Sequence, residues 1–220
     1  MLFVVKASIV LFYCCLLTFS AVAQQEGADA YKMAVRLNLA PPHPIANKAF
    51  RNTFTGAYTI GAEFEFNLLK FFYVAPAFGH TAFRVPPRKI ADRLKTTLIL
   101  DNGGLKIGYK NYFTEKVFWA IAVGGGGNFS HYKDVQAPDS IPVQKTFSAS
   151  YLQAEFSLNF YTEDNFTIGL YAGYTFLTHD FNPKEAAFNL YKIYDSSELN
   201  GNLQYIDIGF SLRYMLVKKK

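Results

Sequence analysis

The sequence predicts an all-β fold: an eight-stranded antiparallel up-and-down β-barrel that spans a membrane. Three observations lead there. Long stretches alternate apolar and polar residues one by one, the period that sends the two kinds to opposite faces of a strand. Each stretch is longer than the roughly five or six residues of a usual soluble strand and meets the roughly 9–11 tilted residues that cross a bilayer as β-structure. The connectors between them alternate long and short, as in barrels with short inner turns and long outer loops.

The clearest pair of arms lies at 147–177. Leu152, Ala154, Phe156, Leu158 and Phe160 share one parity against Tyr151, Gln153, Glu155, Ser157 and Asn159. After the polar connector 162–165, Phe166, Ile168, Leu170, Ala172, Tyr174 and Phe176 oppose Thr167, Gly169, Tyr171, Gly173 and Thr175, which makes a hairpin.

The chain in order repeats this. A first strand at 31–39 sets Met33, Val35, Leu37 and Leu39 against Lys32, Ala34, Arg36 and Asn38, and Pro41, Pro42 and Pro44 end it. A loop to about Asn52 follows, then a second strand at 54–68. A tight turn near Leu69 and Lys70 leads into a third at 72–83, where Pro76 predicts a bulge. Residues 84–95 are a polar loop. The fourth strand, 97–110, changes apolar parity between Leu98/Leu100 and Leu105/Ile107/Tyr109, which predicts a one-residue slip at Asn102-Gly103-Gly104. A fifth strand at 117–129 carries Gly124 to Gly127, and a proline-bearing loop follows at 132–145. After the opening hairpin, the longest polar connection (178–201) leads to the eighth strand at 202–216. Aromatics near strand ends (Tyr31, Phe54, Tyr109, Tyr112, Trp119, Phe160, Tyr161, Tyr174, Phe176, Tyr214) fit interfacial girdles.

Composition agrees. The 220 residues are 50% hydrophobic and 17% aromatic, yet mean hydropathy is only +0.05. No stretch after residue 23 approaches the roughly 20 continuous apolar residues of a membrane helix, whereas alternation dilutes hydropathy in a barrel. Residues 1–23, with Lys6, an apolar run at 9–19 and Ala21-Val22-Ala23, read as a cleaved secretory signal, leaving 24–220 as the barrel. Cys14 and Cys15 lie within it, so the mature chain holds no cysteine. Removing Lys6 lowers the formal charge from +5 to +4, and no basic run is interleaved with aromatics, which argues against nucleic acid as a partner.

Tyr73-Val-Ala-Pro-Ala-Phe-Gly-His80, Tyr151-Leu-Gln-Ala-Glu-Phe156, Leu170-Tyr-Ala-Gly-Tyr174 and Asp207-Ile-Gly-Phe-Ser-Leu-Arg-Tyr214 together resemble the eight-stranded outer-membrane barrels of Bacteroidetes-type bacteria, a porin-family group related in architecture to OmpA and OmpX. The resemblance implies insertion by the barrel-assembly machinery, a monomer set in outer-membrane lipid, and a family proline at Pro76. Such barrels end on an aromatic, whereas here Tyr214 is followed by Met-Leu-Val-Lys-Lys-Lys.

With the apolar parity toward lipid, the inward charges are Lys32, Arg36, Glu63, Glu65, Lys106, Lys110, Glu155, Asp207 and Arg213: five bases and four acids. Eight strands leave an interior that side chains just fill. Buried charges persist when paired, so the expectation is a plugged barrel with a salt-bridged interior, non-enzymatic, structural or surface-interacting. The alternatives are a small passive pore, an acyl-chain hydrolase or transferase of the outer rim, and a soluble lipocalin-like carrier, which would bury these charges in an apolar cavity. His43, His80, His131 and His179 fall at the outer rim or loops. Ser130-His131 and His179-Asp180 adjoin in sequence, but neighbours on a strand face opposite ways, so no catalytic set, metal site or cofactor site is assigned. External recognition is expected in the loops 41–53, 84–96, 132–146 and 179–201, above all the last two.

Overall fold

The computed structural model describes residues 31–69, 71–86, 95–135, 139, 143, 145–163, 165–190 and 192–218. The expected signal at 1–23 lies outside them, as does much of the expected loops 84–96 and 132–146. One sheet contains nine strands: β1 (Tyr31–Ala40), β2 (Pro42–Ala46), β3 (Thr55–Asn67), β4 (Phe72–Arg84), β5 (Thr97–Thr114), β6 (Val117–Lys133), β7 (Thr146–Glu163), β8 (Phe166–Asp180) and β9 (Asn202–Lys218). All neighbours are antiparallel, and β1 pairs with β9 as well as β3, which closes the sheet on itself.

Nine strands make eight walls. Leu39 of β1 faces Phe210 of β9 and Pro42 of β2 faces Asp207, so β1 and β2 follow one register along β9 with a break at Pro41. The stretch expected to be loop after Pro41 is therefore still wall. Pro42 and Pro44 sit two apart and so withhold their missing N–H from one edge only, which leaves the other edge free to pair. Short turns close one end of the barrel (Glu115 and Lys116 between β5 and β6), and the long connections gather at the other.

Two local expectations are corrected. β5 pairs with β4 in one register from Thr97–Arg84 to Tyr109–Phe72, and with β6 from Thr97–Lys133 to Tyr112–Phe118, so there is no slip at Asn102-Gly103-Gly104. Leu98 and Leu100 instead point into the barrel and are fully buried at its long-loop end. Pro76 makes no bulge either. The ladder to β3 lapses between Glu63–Ala77 and Phe66–Val74 and resumes in the same register.

The outward face is the apolar parity: Leu37, Ile60, Phe78, Ile107, Val123, Leu152, Leu170 and Phe210 are all exposed. Phe72, Tyr109 and Trp119 form an aromatic girdle at the short-turn end, with centroids 5.2 and 5.7 Å apart. Phe54, Tyr112 and Tyr161 leave the expected girdle. Phe54 is buried under the long-loop end, and Tyr112 and Tyr161 pack around the inward Phe118.

Inside, the walls come close where the chain lacks side chains. A Cβ on Gly126 would lie 2.2 Å from the Gly103 carbonyl oxygen, and one on Gly104 2.2 Å from that of Gly125. Gly127, one residue on and facing out, has nothing within 4 Å. Gly126→Ala is expected to lower stability by about 1–3 kcal/mol, the usual cost of overpacking. Gly127→Ala should stay close to wild type; comparison of urea unfolding midpoints in detergent checks the pair.

Candidate functional site

The interior is built in two tiers. The middle tier is ionic. Arg36 projects from β1, Glu63 from β3, Lys106 from β5 and Glu155 from β7, all on the polar parity of their strands. Lys106 Nζ bridges Glu63 Oε1 at 2.6 Å and Glu155 Oε2 at 3.0 Å. Arg36 is paired with Glu155 and lies 3.5 Å from Glu63, with its guanidinium 5.7 Å from the Tyr171 ring. Asn38 donates to Glu63 at 2.8 Å. Nearer the short turns, Arg213 donates twice to Glu65, at 2.7 and 2.9 Å, and lies 5.0 Å from the Phe118 ring. Lys110 donates to Asn67 at 2.5 Å and faces the Tyr73 ring.

Eight of the nine charges assigned inward are thus buried, four bases and four acids. Lys32 is exposed at the entrance of β1, before the walls enclose the lumen. Asp207 is buried, and the Tyr171 hydroxyl donates to it at 3.4 Å. A cavity of about 30 Å³ remains between Asn38, Glu63, Asn102, Lys106, Tyr205 and Asp207. That is room for a few waters and no more.

The upper tier is apolar. Phe50, Phe54, Phe83, Leu98, Leu100, Phe181, Phe188 and Leu203 form one buried cluster beneath the long loops. Phe50 lies edge-on to Phe83 at 5.0 Å, and Phe54 to Phe181 and Phe188 at 5.6 Å each. The long-loop ends of β4, β5 and β9 supply Phe83, Leu98, Leu100 and Leu203, and the connections supply the rest through α1 (Lys48–Thr53) and two 3-10 turns at 183–186 and 188–190, with α2 (Ser196–Leu199) packed beside them. Asn47 caps α1 by accepting from the Phe50 N–H at 3.0 Å, and its amide donates to the carbonyls of Gly201 at 2.7 Å and Leu199 at 3.3 Å. One side chain thus ties the first long connection to the last. Glu198 adds a polar tie: it accepts from Asn52 at 3.0 Å and from the Asp195 N–H at 3.3 Å, with Lys192 3.6 Å away. β8 runs to Asp180, two residues into the expected loop, and the described residues 181–190 and 192–201 form an ordered lid over the lumen.

The histidines divide. His179 stacks on Phe147 at 3.8 Å and bonds Glu185 at 3.2 Å. His80 and His131 face outward on either side of Asp101, at 2.6 and 3.8 Å, and the Tyr58 hydroxyl lies 3.4 Å from His80 Nε2. Ser130 points inward and bonds Asn128, away from His131. Sequence reasoning missed the His80–Asp101–His131 group because cross-strand register, not chain adjacency, brings it together. No group of three or more His, Cys, Asp or Glu among the described residues is arranged to hold a metal ion.

No family model matches the chain, and no curated protein matches it. Solved structures do match. Neisserial surface protein A superposes with a TM-score of 0.50 at 9% identity, covering 84% of this chain and 97% of that one. OprG of Pseudomonas aeruginosa gives 0.47 at 14% identity, covering 86% and 99%. The N-terminal barrel domain of OprF from the same species gives 0.42 at 12%, covering 84% and 98%. The chain shares the fold of the neisserial barrel. Nothing in these matches supports the Bacteroidetes-type assignment; the supported likeness is one of fold.

Two predictions follow from the tiers. Arg36→Met leaves two buried carboxylates sharing one lysine, and breaking a buried pair costs about 3–5 kcal/mol. The double variant Arg36→Met/Glu155→Leu should recover much of that loss, which a double-mutant cycle on unfolding free energies would read. In the lid, burial pushes the Glu198 carboxyl up, but the Asp195 N–H, Lys192, Asn52 and Lys48 outweigh it and hold the pKa below its ordinary value. A depressed folded pKa gives stability that is full above the unfolded value and lost as pH falls through the folded one. The NMR signals of Phe50 and Phe188 should therefore broaden on acidification below the ordinary carboxylate range, and Glu198→Gln should remove that dependence.

Proposed function

We propose that this chain is a sealed, non-enzymatic outer-membrane barrel that presents a structured external lid as its interaction surface. The observation that carries this reading is the lumen itself. Among the described residues, paired charges occupy its middle and an aromatic cluster its outer end, which supports a lumen closed to solutes. An exposed apolar belt around the walls needs lipid to cover it. The same parity removes the soluble carrier, whose ligand cavity would have to be apolar.

The surface left for recognition is the lid. Its outer side carries Ile193, 91% exposed, beside Lys192, Tyr194 and the half-exposed Leu190. Tyr194 is anchored from below by a 3.0 Å bond to Thr53, and Lys192 lies 4.7 Å from its ring, so this patch is held rather than free. Neisserial surface protein A is named for the surface, and a surface role for this chain accords with the ordered lid. The barrel-assembly machinery and outer-membrane lipid are the partners that insertion requires, with a monomer as the working unit.

The test combines two measurements on one preparation. Outer-membrane fractions should show a boiling-dependent shift in gel mobility, and the folded protein in planar bilayers should give no steady current. A soluble protein without the shift would defeat the barrel; large steady currents from a shifting protein would defeat the seal and make the passive pore the reading to pursue.

A further inference from the structure

Asp101 is the only acid in β4, β5 and β6, and it points out of the barrel into the lipid-facing wall. Its side chain remains about two-fifths exposed. Its height can be reckoned along β5. Eight residues separate it from Tyr109 in the aromatic girdle; at about 3.3 Å per residue and a tilt near 40°, that is about 20 Å along the membrane normal. An apolar belt of about 25 Å puts Asp101 close to the outer interface, where lipid headgroups begin. An ionisable group at such a level is a site unless something neutralises it.

The neighbours occupy only one of its two oxygens. His80 Nδ1 lies 2.6 Å from Asp101 Oδ1, and the Tyr58 hydroxyl lies 3.4 Å from His80 Nε2. With Nδ1–H donating to Oδ1 and the Tyr58 hydroxyl facing Nε2, both nitrogens of His80 are occupied and only one of the two carboxylate oxygens is used. On the other side, His131 Nδ1 is buried with no hydrogen-bond partner and stands 3.8 Å from Oδ2, too far for a bond. Oδ2 is thus a carboxylate oxygen left as an open acceptor on the outer side of the wall.

Directly below, the wall loses its side chains. Asp101 and Phe129 face one another across β5 and β6; one row down stand Phe78, Gly103 and Gly127, and one further Leu105, Gly125 and Leu152. A Cβ at Gly127 would meet nothing within 4 Å and one at Gly103 only the Phe78 ring at 3.9 Å, while one at Gly125 would lie 3.1 Å from Leu152 Cδ2, so the bare stretch is open at Gly127 and narrows at Gly125. Phe78, Leu105, Val123, Phe129 and Leu152 stand exposed around these glycines and make the sides of a shallow furrow that runs inward from Asp101.

We propose that this wall binds one lipid of the outer face whose headgroup carries a primary ammonium, with the ammonium on Asp101 and an acyl chain along the Gly103–Gly125–Gly127 furrow. Charge decides the class. A phosphate alone would be repelled by the open carboxylate, and no metal-holding group is present among the described residues. A primary ammonium supplies both the opposite charge and N–H donors for Oδ2.

The inference rests on the barrel standing in a membrane, but not on whether its lumen conducts. Folded protein in detergent, stripped of lipid, is mixed with phosphatidylethanolamine, phosphatidylcholine or phosphatidylglycerol of identical acyl chains, and retained lipid is counted by native mass spectrometry. One charge-assisted hydrogen bond predicts about tenfold preference for the ethanolamine lipid over both others. Choline has the charge without the donors, so it separates pairing from charge alone. Asp101→Asn should bring the ethanolamine lipid down to the level of the others, and Gly127→Leu should weaken its retention while keeping the preference. Equal retention of the three by the wild type overturns the proposal, as does a preference that survives Asp101→Asn in a variant that still shows the boiling shift. Loss of the boiling shift in the wild type would instead remove the membrane wall and the site with it.

Discussion

The pairing of β9 with β1 and β2 is the constraint from which the rest of the structure follows. In hydrocarbon every backbone N–H and C=O needs an internal partner, so a sheet in lipid must have no edge. Here the last wall returns to the first, and the first spans the full height only because β2 keeps the register of β1 past Pro41. Closing at eight walls sets the bore, and a bore of that size is filled by side chains. What those side chains can be is then restricted by burial. Charges are admitted in mutual contact, as with Arg36, Lys106, Glu63 and Glu155, and the strands are brought close where Gly104 and Gly126 leave room.

The two tiers answer different needs. The ionic tier sits deep, where isolated charge is most costly, and meets that cost by reciprocal pairing among four separate walls. The apolar tier sits at the mouth, where water would otherwise enter, and is assembled largely from residues of the connections and strand ends. Hydrophobic burial needs no matched geometry, so it suits elements that are short and irregular. Hydrogen bonds from Asn47 and Glu198 then fix how those elements lie over the mouth.

Much of this was legible from alternation alone. The parity of Arg36, Glu63, Glu65, Lys106, Lys110, Glu155, Asp207 and Arg213 is their placement, because a strand permits only two directions. Lys32 has the same parity and fails for a different reason: it stands where the wall has not yet become a lumen. Leu98 and Leu100 were misread as a slipped register because apolar was equated with outward, which does not hold where an apolar plug reverses the lining. The extension of the first wall through Pro42 and Pro44 was hidden by the usual meaning of proline. Asp101 between His80 and His131 could not be read at all, since three strands must be aligned before the group exists.

Asn47 has one more consequence. The lid takes α1 from the connection after β2 and its remaining turns from the connection before β9, the two connections that flank the line along which first and last walls meet. A cylinder made from a ribbon is weakest along its join, and peeling begins where the join ends. Asn47, reaching the carbonyls of Leu199 and Gly201, bridges that end like a clasp. It can fasten only after both margins have arrived, so it records that the circumference is complete.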